Sequence, residues 1–527
     1  MIPLESHHGT PGRDNGMVPG VARRAPVSPC IQPQLRARET ARVPSSSSPR
    51  QDPYSTKPSR HSPGLEEYTP AGTLDPRSYE VFLGHERIEE LERLAAPLRG
   101  FRWVHINSAF DGGGVAEMLR SLVPLSRALG LDTRWYRIDG GEEFFSVTKR
   151  FHNTLQGLSQ PLTEQDLFRG YLDTIEENAA RAGRIRADLF VVHDPQPCAL
   201  VNSGVLEGNI LWRCHIDTST PDPIVWRFLL PYINQTSGAI FTLPRFVGGG
   251  IHVPLYQVAP CIDPLAVKNQ TCTETEAAGR LEGLFRRDGI DPRRPILAAV
   301  SRYDPHKNQA TILEAFHLLK KTVSSGPKPY LVFLGNTASD DPEGGAMLER
   351  LREQAGGDPD VRFWVNVEDN DRVVGALMRL ARGFVHISTK EGFGLVVSEA
   401  LWQGTPVIGS NAGGIGSQVL DGRTGYLVNP MDVETIADRM RRILERPEEA
   451  RRLGLQGREH VRANFLLPEL LRRHLLLLRY YTGVDASPPA FRLNGKTHSE
   501  VIHEHYSRRL FEPGAALPAG EGLAAAP

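Results

Sequence analysis

Cysteine is scarce in this sequence. Cys30, Cys198, Cys214, Cys261 and Cys272 are odd in number and far apart, and no CxxC pair occurs. That excludes a zinc knuckle or a disulfide framework and leaves reduced thiols in a cytosolic protein. An excess of either charge is also missing: lysine plus arginine total 61 and aspartate plus glutamate 62. No global field therefore draws nucleic acid or an anionic membrane to the chain. No run approaches the roughly 20 apolar residues of a membrane span. The most leucine-rich segment, Leu466 to Leu478, is interrupted by Glu469, Arg472, Arg473 and His474 and reads as an amphipathic helix. The N-terminus lacks the apolar stretch of a secretory signal. It is rich in arginine and serine and poor in acids, as transit peptides are. Its prolines (Pro3, Pro11, Pro19, Pro26, Pro29 and Pro33 among them) oppose the amphipathic helix such a peptide needs. The expected location is the cytoplasm.

Core-forming side chains are nearly absent from residues 1–65, and the tail 512–527 is alanine-, glycine- and proline-rich. Neither can offset the entropy of ordering, so both are expected to be disordered and the first to be dispensable for catalysis. What lies between exceeds one hydrophobic core. A helical extension is expected over 66–97, with its helix near Tyr79 to Ala95. Apolar runs then alternate with amphipathic stretches. Phe101–Asn107, Asp132–Ile138, Leu189–His193, Ile210–Cys214 and Ala239–Thr242 read as strands of a first series. Ile296–Val300, Tyr330–Leu334, Val361–Val365, Phe384–Ile387, Pro406–Ile408 and Tyr426–Val428 form a second. Continuous apolar runs separated by helices predict parallel sheets covered on both faces. The fold class is thus α/β: two doubly wound, Rossmann-like domains at 98–260 and 261–465 facing a cleft. Helices over 466–511 pack back on them.

In open α/β sheets ligands bind beyond the carboxyl ends of the strands, and the unusual residues gather there. Gly112-Gly113-Gly114 follows the first strand and opens a helix over Val115–Leu129; His193-Asp194, His215 and Asp217 end later strands. In the second series Arg302 and Lys307, then Glu391-Gly392-Phe393-Gly394, then Gly413-Gly414 do the same. The triple glycine is neither a GxGxxG fingerprint nor a Walker loop. By itself it fits a tight turn better than a ligand cradle. Arg302 and Lys307 suit a diphosphate leaving group, although either alone is as consistent with a solvated charge. Asp358-Pro359-Asp360 and Asp369-Asn370-Asp371 fit turns or helix caps better than a metal site. Glu391 and Glu399, taken as eight helical residues apart, lie ~12 Å from each other. Glycosidase carboxylates need roughly 5–9.5 Å, so this pair suits two grips on one extended ligand rather than hydrolysis.

Arg302, Lys307 and the Glu391-x7-Glu399 pair, in that order, resemble glycosyltransferase family 4, whose members have the two-domain GT-B fold. The N-terminal half resembles the trehalose glycosyltransferring synthases, with the fungal-type trehalose phosphorylases as nearby relatives. It does so in Gly112 to Glu117, Phe151 to Gly157, His193-Asp194-Pro195-Gln196-Pro197 and Trp212 to Asp217. The resemblance covers about Phe101 to Gly483. It implies that Glu399 holds ribose hydroxyls and Glu391 the donor glucose. Gly113 and Gly114, together with Gly392, Phe393, Gly394 and Leu395, would also face the donor. Arg302 and Lys307 would neutralise the diphosphate, and His215 would lie beside the reacting carbon. His193, Asp194, Gln196 and Asp217 would surround the acceptor. Two features depart from the family pattern: Asn308, where many relatives have glycine, and Phe246 to Pro254, with Gly248-Gly249-Gly250.

These readings converge on a retaining hexosyltransferase that moves glucose from a nucleoside-diphosphate-glucose to glucose, reversibly forming trehalose. It needs no metal or other cofactor, because the two cations replace one. Without an enzyme nucleophile, the departing diphosphate takes the acceptor's proton, and the protein contributes positioning and electrostatic stabilisation. Two alternatives stand beside it. One is a trehalose phosphorylase using inorganic phosphate. The other is a non-catalytic sugar-binding or regulatory protein on the same fold, which the intact Arg302, Lys307, Glu391 and Glu399 count against. The expected partners are nucleoside-diphosphate-glucose and glucose or trehalose, with no nucleic acid and no membrane. A homodimer and the identity of the base are left open.

Overall fold

The computed structural model describes residues 65–493, apart from Ser159, 323–327 and 338–341. The expectations for the first 64 residues (Cys30 among them), for the tail 512–527 and for helices beyond 493 lie outside the described residues.

Two sheets carry the chain. The first has seven strands: β1 (Glu66–Glu67), β2 (Arg102–Asn107), β3 (Asp132–Arg137), β4 (Ile185–His193), β5 (Leu206–Cys214), β6 (Gly238–Phe241) and β7 (Leu255–Gln257). Their spatial order is β1-β3-β2-β4-β5-β6-β7. The second has six strands: β8 (Ile296–Val300), β9 (Tyr330–Gly335), β10 (Val361–Val365), β11 (Gly383–His386), β12 (Val407–Ser410) and β13 (Gly425–Val428). These run in the order β10-β9-β8-β11-β12-β13, every pair parallel. In both sheets the order reverses beside the first long strand, which opens the crevice where such folds bind ligands.

Burial explains the strand pattern. β8, β9 and β12 are buried along their whole length, as parallel strands with helices on both faces must be. The structure corrects the reading in three places. The first sheet is mixed, because the two-residue β1 pairs antiparallel with β3. Strands this short leave no periodicity to detect, and β7, with three residues, escapes for the same reason. The helix expected over Tyr79–Ala95 breaks at Gly84, whose φ of 82° ends Glu80–Leu83 before His85–Ala95 begins.

The helix Leu467–Tyr481 returns to the first sheet. Leu467, Leu470, Leu471, Leu475, Leu477 and Leu478 join Trp103, Val191 and Leu211 in one core layer. The opposite face holds Val104, Phe190, Val192 and Trp212. That split follows the period of two along each strand. The Gly248-Gly249-Gly250 segment has a packing reason. A Cβ on Gly248 would run into the Trp226 ring, whose indole N–H donates to the Gly249 carbonyl at 2.6 Å. Cys198, Cys214, Cys261 and Cys272 are free thiols. Among the described residues no helix is long and apolar enough to cross a membrane.

Candidate active site

The strand-end loops of both sheets face one cleft of about 560 Å³. The first sheet supplies Gly114, Glu117, His152, Asn153, Gln156, Asp194 and His215. The second supplies Arg302, His306, Lys307, Asp371, His386, Lys390, Glu391 to Val396 and Glu399. The two sides touch. Lys390 Nζ donates to the Gln156 carbonyl, and Arg245 to that of Gly413. Gly392 passes so close to the opposite wall that a Cβ there would lie 2.8 Å from the His215 carbonyl oxygen.

Glu391 sits in the turn after β11. One oxygen, Oε2, receives Lys307 Nζ at 2.7 Å, His386 Nε2 at 2.8 Å and Ser388 Oγ at 3.1 Å. Burial opposes its charge, but Lys307 and His386 outweigh burial and hold the carboxyl well below the usual range. Glu391 is therefore an ionised, fully oriented acceptor. Arg302 is exposed on the same wall and forms no ion pair among the described residues. Asn308 takes a left-handed φ of 55°, which glycine or asparagine tolerates. Its amide donates to the Pro430 carbonyl at 2.7 Å, so the loop carrying Lys307 is locked by the residue that departs from the family pattern.

Glu399 lies deeper. The helix starts only at Leu395, so Glu399 stands about one turn in, not two, and the ~12 Å separation built on a continuous helix does not apply. Its Oε1 is 2.6 Å from Lys268 Nζ, which also meets Glu117 Oε1 at 2.6 Å. Burial pushes the Glu399 carboxyl up, with Lys268 opposing and Glu117 reinforcing. Burial works against the Lys268 ammonium, but the two carboxylates outweigh it and the lysine stays charged. Lys268 lies in the segment linking the sheets, Glu117 on the helix Gly114–Ala128 and Glu399 on the opposite helix Leu395–Trp402. This triad ties three parts of the chain together.

On the wall formed by the first sheet, Asp194 adopts a left-handed φ of 62°. Its Oδ1 accepts the His215 backbone N–H at 2.8 Å, and its carbonyl accepts the Trp212 indole N–H at 3.0 Å. Burial pushes its carboxyl up to about 7, against the His215 N–H and the Arg213 charge. Next in the chain, the Pro195 carbonyl accepts the Tyr171 hydroxyl at 2.8 Å.

The residues singled out by sequence divide accordingly. His215, Arg302, Lys307, Glu391, Gly392, Phe393, Gly394, Leu395, Glu399, Gly114 and Asp194 meet in the cleft wall. Gly113, His193, Gln196 and Asp217 do not line it. His193 is 2% exposed, with both ring nitrogens against other histidines. Asp217 accepts from the Ser219 N–H at 2.9 Å in its own turn. Gly112, at φ 78°, is a tight-turn glycine. Asp358 and Asp360 both pair with Lys320, and Arg294 also reaches Asp360. Sequence reasoning missed Lys268, His386, Ser388 and Lys390. None belongs to a spaced motif; the visible hint was only that Ser388 and Lys390 lie within three residues of Glu391.

Two α/β domains, one sheet mixed and the other parallel, with their strand ends across one cleft define the GT-B glycosyltransferase class. Solved structures agree. A UDP-forming α,α-trehalose-phosphate synthase from Burkholderia vietnamiensis matches with a TM-score of 0.57 at 18% identity, over 72% of this chain and 97% of that one. Residues 105–248 match the family model for the trehalose synthase N-terminal domain, and 282–460 that for group 1 glycosyl transferases. The trehalose synthase of Rubrobacter xylanophilus is 41% identical over 414 residues, 77% of this chain and 97% of that protein. That of Pyrococcus horikoshii is 37% identical over 415 residues, 78% and 98% of the respective chains. A trehalose phosphorylase from Pleurotus pulmonarius is 26% identical over 375 residues, 63% of this chain and 50% of its own length. The chain belongs to the trehalose synthase family.

Proposed function

We propose that the protein transfers a glucosyl unit, with retention, from a nucleoside-diphosphate-glucose to glucose, forming trehalose reversibly in the cytoplasm. The carrying observation is likeness along nearly the whole length of the synthases, 97% and 98% of two of them. The phosphorylase is matched over half its length, at lower identity.

The cleft supports roles for its side chains. Arg302 and Lys307 stand where a diphosphate can lie against them, so no metal is needed to balance the leaving charge. Glu391, ionised and held by three donors, keeps its second oxygen for hydroxyls of the donor glucose. Glu399, at the far end of the same wall, suits the ribose diol. His215 and Asp194 face them from the acceptor side. Transfer follows when the departing diphosphate accepts the proton of the incoming hydroxyl on the same face of the sugar. The protein orients both partners, and the meeting of the two domains excludes water that would hydrolyse the donor. Incubation of the enzyme with trehalose is the test. Glucose release that requires a nucleoside diphosphate establishes the synthase; release driven by inorganic phosphate alone replaces it with the phosphorylase.

A further inference from the structure

A row of imidazoles leads from the cleft into the first domain. Residues two apart on a strand share a face. His105 therefore faces the same layer as Trp103, His193 the same as Val191, and Arg213 the same as Leu211, beneath the helix Leu467–Tyr481. His215 Nε2 lies 3.0 Å from His193 Nδ1, and His193 Nε2 lies 2.9 Å from His105 Nδ1. The His474 ring is 6.5 Å beyond, its Nδ1–H donating to the Leu470 carbonyl at 2.9 Å. His105, His193, His474 and Arg213 are each at most 3% exposed. Arg213 Nε, Nη1 and Nη2 have no hydrogen-bond partner among the described residues.

A buried guanidinium without partners is costly, and an apolar side chain of similar volume is commonly as stable or more so. Its presence needs another account. Burial first, and neighbouring positive charge second, hold His105, His193 and His215 well below the ordinary imidazole value and His474 at about 3. Arg213 contributes to all four. The other titratable groups around it are Asp194, Cys214, Cys261 and Arg473. A neutral imidazole has one N–H and one bare nitrogen. Three such rings in a row must all orient the same way, so the tautomer of one sets the tautomer of the next.

We propose that His193 and His105 are positioning residues that hold His215 as a neutral ring of one tautomer, with Nδ1 turned to the cleft. The unpartnered Arg213 charge repels a proton from the row. This rests on the glucosyl-transfer reading of the cleft. His193 thus acts on the reaction through His215.

Three variants test it: Arg213→Met, which removes charge and keeps volume; His193→Phe, which keeps the ring and removes its nitrogens; and His193→Gln, which restores a donor and an acceptor. The readouts are kcat from pH 5.5 to 8.5, nucleoside diphosphate affinity by calorimetry, and thermal unfolding. Arg213→Met should unfold at or above the wild-type temperature. The acid limb of its kcat profile should shift to higher pH than in wild type, because removing the Arg213 charge raises His215 while burial still holds it below the ordinary imidazole value. His193→Phe should lose at least about tenfold in kcat at every pH with diphosphate affinity kept, and His193→Gln should recover part of it. A wild-type pH profile in Arg213→Met, wild-type kcat in His193→Phe, or diphosphate affinity lost in parallel with kcat overturns the proposal. If His193→Phe does not fold, the Arg213→Met profile decides. Wild-type protein that transfers no glucosyl unit refutes the reading of the cleft instead. The histidine row is then judged by imidazole ¹⁵N shifts at pH 5.5, where protonated or mixed tautomers overturn it.

Discussion

Lys268→Met offers the sharpest test of the triad in the cleft floor. The ammonium lies 2.6 Å from each of two carboxylates, with side-chain exposures of 16% for Lys268, 36% for Glu117 and 5% for Glu399. Glu117 is exposed enough that its share is that of a surface pair, about 0.2–1 kcal/mol. Glu399 is different, since stripping the partner from a buried charge costs about 3–5 kcal/mol. Glu399 can escape that cost by taking up a proton, because burial already raises its carboxyl and the opposing Lys268 is gone. A carboxyl whose folded pKa lies above its unfolded value of ~4.3 is satisfied at low pH and loses stability as pH rises. Wild type shares that loss up to about pH 7, where burial has already placed its Glu399 carboxyl. The variant's deficit should therefore be nearly constant from pH 6 to 7 and grow by ~1.4 kcal/mol per pH unit above that, reaching about 2 kcal/mol more by pH 8.5. Thermal unfolding of wild type and variant across that range measures it. A deficit equal at both ends, or one that persists in the Lys268→Met/Glu399→Gln double variant, refutes the reasoning.

Glu399→Gln should raise the donor KM, as losing one charge-assisted bond costs roughly 1.5–3 kcal/mol, with kcat little changed. Glu391→Gln should instead lower kcat while free nucleoside diphosphate binds nearly as well; calorimetry beside steady-state kinetics separates the two, and the reverse pattern means the roles are exchanged. Activity should survive EDTA, and loss of turnover that magnesium restores would show that Arg302 and Lys307 do not suffice. Gly392→Ala should force the domains apart, because its Cβ would sit 2.8 Å from the His215 carbonyl. At about 1–3 kcal/mol for such overpacking, kcat/KM should fall roughly 5- to 150-fold, and wild-type kinetics would show that the closure is softer than the packing implies.

By itself the sequence determined the longer strands of both domains, because parallel strands buried on both faces, such as Ile296–Val300, are written as unbroken apolar runs. It also pointed to strand-end loops that meet in one cleft, since Arg302, Lys307, Glu391 and Glu399 all line it. Only the tertiary structure decided the rest. Lys268 joins the cleft through a segment with no motif, by reaching two carboxylates that are 151 and 131 residues away in the chain. His193 reads from sequence as a strand-end ligand. In the fold its ring lies between His105 and His215, because adjacent parallel strands bring equivalent positions side by side whatever their separation in sequence. Edge strands of two or three residues, and a helix broken by a single left-handed glycine, were equally hidden. Pairing across a sheet and contact across a cleft are long-range facts, and a local pattern does not encode them.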